Sequence, residues 1–512
     1  MVQKLLFEDR IREKAQNIIK ENTKYFLEHT ENKEGFVNFL KLIQQVKKFI
    51  EENRKEDFVL VHDRDADGQT SGGIMYYLLN NHLDINVDVV NTNRSDFDKI
   101  AEEYGRDKIY VFTDVGSGQT DLIKEADIDL ERTIIFDHHL KLIDTYAKYE
   151  VNPNFFGFSG SFEISGAGTV YMLVREFGLA ELSQLAVVGA CGDMQNTFYG
   201  LRGLNRLILR DGVRSGFINI IKGLPIFGRE TRPLFKSLFL MTEPRLFKSD
   251  KQVYAFLFDK DIPYEYVKEP LNVVYREMVN GKQLEQLLIE EIYKEFMKKA
   301  PITLKPFSSI YVIGENYELN SFPRGTPLHD SKEFATMLNA MNRLDKIEEV
   351  GIKLTTMRHS KVLPQAISIQ RKARRELAKS INAILDQLDV RKRTYRFMVV
   401  LNETDLVSPH NTGTILQMLI DTLTPLYNKP LVGFTYSSDD EIKVSLRESK
   451  ILYLSDVNLA VAVERASEKV GGIGGGHPVA CGAKIPASRL DDFLEILHKE
   501  LIKEGIRKGF II

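Results

Sequence analysis

Short apolar runs recur along the chain, each closed by charged or turn residues. Phe58-Val59-Leu60-Val61 is the first, and Ile85 to Val90 the second. Ile109-Tyr110-Val111-Phe112 and Thr133-Ile134-Ile135-Phe136 follow. Stretches with helical character separate them, such as Gly73 to Asn81 and Ser117 to Ala126. Buried strands alternating with helices predict a parallel sheet with crossover helices. Two more helices are expected, from Gly166 to Phe177 and from Leu182 to about Ala190, the second running into Gly192-Asp193-Met194. From about Tyr395 a second α/β pattern begins. It comprises Phe397-Met398-Val399-Val400, a helix from Thr412 to Thr422, Leu431-Val432-Gly433-Phe434, and Ile442 to Leu446. A glycine cluster at Gly471 to Gly476 and a terminal helix close it.

This pattern divides the chain into five stretches. Residues 1–55 form a helical segment, with Phe36 to Glu52 apolar at helical spacing. Residues 56–200 form the first α/β domain, 201–300 a mostly helical remainder, and 301–392 a mixed segment. Residues 393–512 form a smaller second α/β domain.

Acidic residues and histidines gather where such a sheet places its chemistry, beyond the carboxyl ends of the strands. Asp63-Arg64-Asp65-Ala66-Asp67-Gly68 follows the first run, Asp114 the third, and Asp137-His138-His139 the fourth. Three carboxylates at alternate positions repel one another inside a strand; in a strand-end loop they form an oxygen cage for divalent cations. A calcium-binding helix-loop-helix is excluded, because loop position 12 would be Ile74 and the flank is a strand. Together with Asp193, these residues supply enough carboxylates and imidazoles for two metals sharing one carboxylate. Such a site suits in-line phosphoryl chemistry. Mixed oxygen and nitrogen ligands favour Mn²⁺, with Mg²⁺ as the alternative.

Composition narrows the reading. The chain has 512 residues, 43% hydrophobic and 28% charged, which excludes a disordered polymer or a disulfide-stapled miniprotein. Two cysteines, Cys191 and Cys481, cannot build a disulfide framework or a cysteine-rich zinc site. The N-terminus lacks a secretory apolar core, and no run of 18 apolar residues occurs. The expectation is a soluble cytoplasmic protein without a membrane role. A net charge of −3 argues against coating nucleic acid by bulk charge. Local charge differs: Lys361, Arg371, Lys372, Arg374, Arg375, Lys379, Arg391, Lys392 and Arg393 crowd one stretch. Arg202, Arg206, Arg210, Arg214, Arg229 and Arg232 form a second basic set. Phe155-Phe156-Gly157-Phe158 is a candidate base-stacking loop or a core plug.

The order D-x-D-x-D-G, isolated Asp, Asp-His-His and Gly-Asp-Met resembles the DHH phosphoesterase superfamily. Gly474-Gly475-Gly476-His477-Pro478 resembles the glycine-rich signature of its associated C-terminal domain, and Lys443 to Arg447 the strand before it. Gly228 to Leu234 and Leu338 to Arg343 are similar to archaeal RecJ-like exonucleases, including the GINS-associated nuclease. The resemblance implies a two-metal exonuclease acting on single-stranded DNA or RNA in replication or repair. Digestion would run 5′→3′ and release nucleoside 5′-monophosphates, with GINS or another replication protein as partner. By the same resemblance, Asp63 and Asp65 hold one metal, and Asp67, His138 and Asp193 the other. Asp114 bridges them, His139 contacts the scissile phosphate, and Asp137 completes the catalytic motif. Arg229, Arg232, Arg447, Gly474, Gly475, Gly476 and His477 bind the nucleic-acid strand. Two rivals stand beside this reading: a phosphodiesterase for short oligoribonucleotides or cyclic dinucleotides, and a replication scaffold with little catalysis.

Overall fold

A computed structural model describes residues 2–512, except 142, 197–199, 242–244, 301, 303–304, 357–360, 425–427, 450–451, 453–456 and 508–512. The chain forms two compact units. The first takes residues 1–234, 262–286 and 312–370; the second takes 235–261, 287–311 and 371–512.

The first unit is built on a five-stranded sheet. Its strands are β1 (Phe58–His62), β2 (Val87–Asn91), β3 (Ile109–Thr113), β4 (Ile134–Phe136) and β5 (Tyr149–Val151). Their order is β2-β1-β3-β4-β5, and every neighbouring pair is parallel. All five residues of β1 and of β3 are buried, as strands covered on both faces must be. β5 is the strand the apolar runs do not announce, being only three residues long and containing Glu150.

Two N-terminal helices, α1 (Val2–His29) and α2 (Lys33–Glu52), precede the sheet. α2 buries Phe36, Phe39, Ile43, Val46 and Ile50, the stripe its sequence predicts. Phe156 meets Phe39 and Phe158 meets Phe36, so most of the aromatic loop plugs the seam to α2. Phe155 alone of its phenylalanines stays exposed.

The crossover helix after β1, α3 (Ala66–Tyr76), starts well before the periodicity suggests. Asp65 caps it, its side chain accepting the Gly68 amide, and Asp67 lies in the first turn. The acidic motif is therefore half loop and half helix, because an Asp at the cap and a carboxylate in the first turn both stabilise a helix start. α4 (Phe97–Tyr104) and α5 (Thr120–Glu125) flank β3 within the sheet, and after the sheet come α6 (Gly166–Val174), α7 (Ser183–Gly192) and α8 (Gly203–Arg214). The stretch expected to be mostly helical also contains β6 (Ile218–Gly223), which pairs antiparallel with Gly314–Leu319.

α8 explains part of the basic set. Arg210 donates to Asn22 and lies over the Tyr25 ring, and Arg214 donates to Asn22 and Glu21. These arginines hold α1. Beneath them Asp211 is fully buried, accepting from Arg175, Asn22 and Tyr171.

The second unit contains a six-stranded sheet. Its order is Lys392–Thr394, Val399–Asn402, Leu431–Tyr436, Glu441–Arg447, Ala480–Pro486 and Ile473–His477. Only the second and third of these run parallel. The helix Leu459–Glu468 packs on this sheet through Ala462, Val463 and Ala466. The architecture is α/β in both units, a parallel-sheet domain followed by a smaller mixed-sheet domain. Among the described residues, no helix is long and apolar enough to cross a membrane.

Candidate active site

The carboxyl ends of β1, β3 and β4 lie side by side, because the three strands are neighbours in one parallel sheet. Asp63 follows β1, Asp114 follows β3, and Asp137-His138-His139 follows β4. Asp67 comes in from α3, and Asp193 from the end of α7. Asp114 adopts a left-handed backbone, φ 62°. A non-glycine residue in that region is strained, and such strain gathers at functional sites. Helix α6 approaches Asp114 so closely that a Cβ on Gly166 would stand 2.5 Å from its Oδ1. Gly166 is thus required for packing at the site.

The structure brings these side chains together. His138 Nε2 lies 3.1 Å from Asp114 Oδ1, 3.3 Å from Asp193 Oδ2 and 3.6 Å from Asp67 Oδ2. Ligand atoms of Asp63, Asp65 and Asp114 lie within 4.8 Å of one another. Asp114 belongs to both groups. The His138 ring is oriented by its other nitrogen, Nδ1, 2.6 Å from the Gly160 carbonyl. With the proton on Nδ1, Nε2 presents a lone pair to the carboxylates, the tautomer a metal-binding histidine needs. Asp67 accepts both the Gly166 and Ala167 amides, at 2.6 and 3.0 Å. The helix start at Gly166-Ala167-Gly168 therefore serves a carboxylate of the chain itself.

Crowded carboxylates hold protons. Burial, then the charges of Asp63, Asp193 and Asp67, push Asp65 up to about 8. Burial and Asp193 push Asp67 up to about 7. Asp114 is also raised, by burial and by Asp67. Burial opposes a charge on His138, but its bond to Asp114 and the surrounding carboxylates raise it. In such a set the carboxylates outnumber the one imidazole, and two divalent cations would supply the missing positive charge.

One consequence is measurable. A carboxyl group whose folded pKa is raised stabilises the fold most at low pH. That stability is lost as pH rises through the folded value, here up to about 8. Chelator-treated protein should therefore melt at a lower temperature at pH 8.5 than at pH 6.5. Saturating Mn²⁺ should remove most of that difference. Equal melting temperatures for the chelated protein at both pH values would mean that the cluster carries no such excess of charge.

Asp137 lies close to Asp114 and His139, and both of its oxygens already accept hydrogen bonds from the protein. Its Oδ1 accepts from the His138 amide, the His139 amide and His139 Nδ1, and its Oδ2 from the Ser117 amide. Burial works against its charge, but His139 holds its carboxyl well below the usual range. Asp137 thus orients His139. Burial pushes His139 down to about 4 despite Asp137, with Arg94 and His138 adding to the shift. The ring is neutral at pH 7.

Sequence reasoning passed over Arg94. Its Nε donates to Asp63 Oδ2 at 3.1 Å, and its guanidinium stands 3.5 Å from His139 Nε2. It too has a positive φ, 71°. The available signal was a lone cation at the end of β2, on the edge that carries the aspartates. Asn152 and Asn154 were also missed; they donate to the carbonyls of His139 and His138.

The expected strand-binding residues fare unevenly. Arg229 is a correction. It is buried, and its guanidinium is spent on Glu285, the Leu224 carbonyl and Asn272. It cannot clamp a phosphate without breaking a buried ion pair. Arg232 is half-buried against the Phe227 ring. In the second unit, Arg447 donates to the Leu446 carbonyl and abuts Gly413 at the start of the helix Thr412–Leu423. Gly474 and Gly476 are pressed against Val463 and Cys481, whereas a Cβ on Gly475 would meet open space. His477 ends the same edge strand.

Comparison with known proteins agrees with this geometry. The model of the DHH family N-terminal domain matches residues 57–192, and that of the DHHA1 domain matches residues 400–503. An uncharacterized protein of Methanocaldococcus jannaschii is 28% identical over 485 residues, spanning 92% of this chain and 99% of its own. Among solved structures, CDC45 from Entamoeba histolytica superposes with a TM-score of 0.55 at 11% identity, covering 91% of this chain and 99% of that one. RecJ from Thermus thermophilus in complex with Mn²⁺ superposes with a TM-score of 0.52 at 14% identity. That match covers 90% of this chain but 55% of RecJ, so the chain spans about half the length of that relative. Residues 57–192 therefore match a DHH N-terminal domain and residues 400–503 a DHHA1 domain, on a fold similar to that of RecJ.

Proposed function

We propose that the chain is a two-metal phosphodiesterase that digests single-stranded DNA, and RNA as a second substrate, from an end. The direction is 5′→3′, the products are nucleoside 5′-monophosphates, and the setting is DNA replication or repair. One observation carries the reading: His138 Nε2 and the carboxylates of Asp67, Asp114 and Asp193 converge, and Asp114 also joins Asp63 and Asp65. In this reading Asp63, Asp65 and Asp114 hold one cation, and Asp67, Asp114, His138 and Asp193 the other, with Mn²⁺ preferred over Mg²⁺. Bound there, two divalent cations lower the pKa of water and stabilise the attacking and leaving oxygens of an in-line displacement.

The protein's own groups do the rest. Asp114, strained and shared, fixes the spacing of the two ligand groups. His139, held by Asp137, presents Nε2 beside the Arg94 guanidinium, and an incoming phosphate would find two donors there once the ring is protonated. In the structure Asp63 is paired with Arg94; were Asp63 to hold a cation, that arginine would be free to face the phosphate. In the second unit, the open face at Gly475, with Gly474, Gly476, His477 and Arg447, would receive the nucleic-acid backbone. Arg232 is the remaining candidate from the first unit. A replication partner such as GINS belongs to the same reading.

The test is digestion of long single strands of DNA and RNA, labelled at each end in turn, with Mn²⁺ or chelator. Mononucleotide release from the 5′ end, abolished by chelator, is expected. Cleavage of dinucleotides but not long strands would replace this reading with the small-substrate alternative. Strand binding without cleavage under every metal condition would leave a scaffold.

A further inference from the structure

Outside the aspartate–histidine cluster, the first unit buries a second set of ligating side chains. Glu318 lies in the strand Gly314–Leu319, which pairs with β6, and Asn219 stands opposite it. Glu230 lies in the segment before residue 234. His329 ends a short turn, Pro327–His329, just before the helix Ser331–Arg343. Ligand atoms of the three lie within 4.8 Å of one another. The glutamates are 7% exposed and the histidine 2%.

The imidazole carries the argument. Its Nδ1 faces two backbone carbonyls, Leu319 at 3.0 Å and Phe322 at 3.1 Å. Only a protonated nitrogen satisfies two carbonyl oxygens, so the neutral ring has its lone pair on Nε2. That Nε2 is buried and has no hydrogen-bond partner. One ring nitrogen of His329 lies within 4.8 Å of a carboxylate oxygen of each glutamate. A lone pair facing carboxylate oxygens in a buried site is unfavourable unless something positive lies between them. The glutamates are already oriented: Glu230 accepts from the Gly325 amide and from Asn272, and Glu318 from Asn219. Each carboxylate oxygen keeps a second lone pair. Arg324 forms an ion pair with Glu318 Oε2 at 3.7 Å, but its side chain is largely exposed to water.

We propose that Glu230, Glu318 and His329 bind one divalent transition-metal ion, a structural site sharing no residue with the aspartate–histidine cluster. One imidazole nitrogen with two carboxylates suits Zn²⁺ or Mn²⁺ better than Mg²⁺ or Ca²⁺. The backbone carbonyls on Nδ1 are the usual support for such a ligand. The ion ties three segments together: the strand at 318, the turn at 329 and the loop at 230.

The experiment uses full-length protein bearing Asp114→Asn, so that the aspartate cluster is disabled. It is stripped with chelator, loaded with Zn²⁺, passed through gel filtration and assayed for bound ion by mass spectrometry. Adding His329→Gln, or separately Glu318→Gln, is expected to lower the content by one ion per chain. The rise in melting temperature on adding Zn²⁺ should shrink with it, while the melting temperature in chelator stays within a few degrees. Unchanged ion content in both variants would overturn the proposal. A variant that melts far lower in chelator is set aside, and the other then decides.

Discussion

Asp114→Asn is expected to abolish hydrolysis while leaving the fold intact. Asparagine fills the same volume and can keep a bond to His138, but it removes the charge that both ligand groups share. Loss of a metal-bridging carboxylate removes several kcal/mol of transition-state stabilisation, on the order of a thousandfold in rate. Melting in chelator should rise or stay level, because one of the mutually repelling carboxylates has gone. The measurement is mononucleotide release at saturating Mn²⁺, with bound Mn²⁺ per chain alongside. Retention of more than a tenth of the parent rate would end the two-metal scheme. Asp137→Asn gives a graded contrast: it touches no proposed metal, so a loss of about 10–100-fold is expected with metal content unchanged.

The largest effect on stability is expected at Asp211, far from any chemistry. Its carboxylate is fully buried and accepts from Arg175 Nε at 2.9 Å, from Asn22 at 2.8 Å and from Tyr171 at 3.3 Å. Arg175 is itself fully buried. Asp211→Ala would leave that guanidinium uncompensated in a dry interior. Breaking a buried pair in this way costs about 3–5 kcal/mol. Chemical denaturation should show that loss, or the variant should fail to accumulate. A double variant, Asp211→Leu with Arg175→Met, should recover much of it, since it leaves no lone charge. A loss below about 1 kcal/mol for Asp211→Ala would mean that the pair is screened by water.

The gathering of the candidate metal ligands was legible in the sequence because its pattern is local. Apolar strands end in Asp63, Asp114 and Asp137-His138-His139, and a parallel sheet forces those ends together whatever surrounds them. What the sequence hid depends on distant partners. Arg229 looked like a free cation until Glu285, 56 positions later, was found bonded to it. Arg210 and Arg214 likewise spend their donors on α1, almost two hundred residues earlier in the chain. Arg94 was overlooked because one arginine among asparagines and serines makes no pattern; only the convergence of strand ends gives it a neighbour. The Glu230, Glu318 and His329 group escaped for the same reason, its members lying on a loop, a strand and a turn. The early start of α3 was within reach, since Asp65 and Asp67 are a helix cap and a first-turn acid. Reading them only as ligands obscured that second role.

The second unit is gathered from three separate stretches, 235–261, 287–311 and 371–512. A ribosome makes the first of these long before the last. At about 5–20 residues per second, the helices of 235–261 wait on the order of ten seconds or more for the sheet of their own unit. Meanwhile their apolar sides have no permanent cover. A chain stopped near residue 370 would contain the proposed metal ligands yet display those orphaned helices, and should be prone to aggregate. Preparing the metal-binding half alone would therefore mean excising both inserted stretches, not merely shortening the protein from its C-terminus.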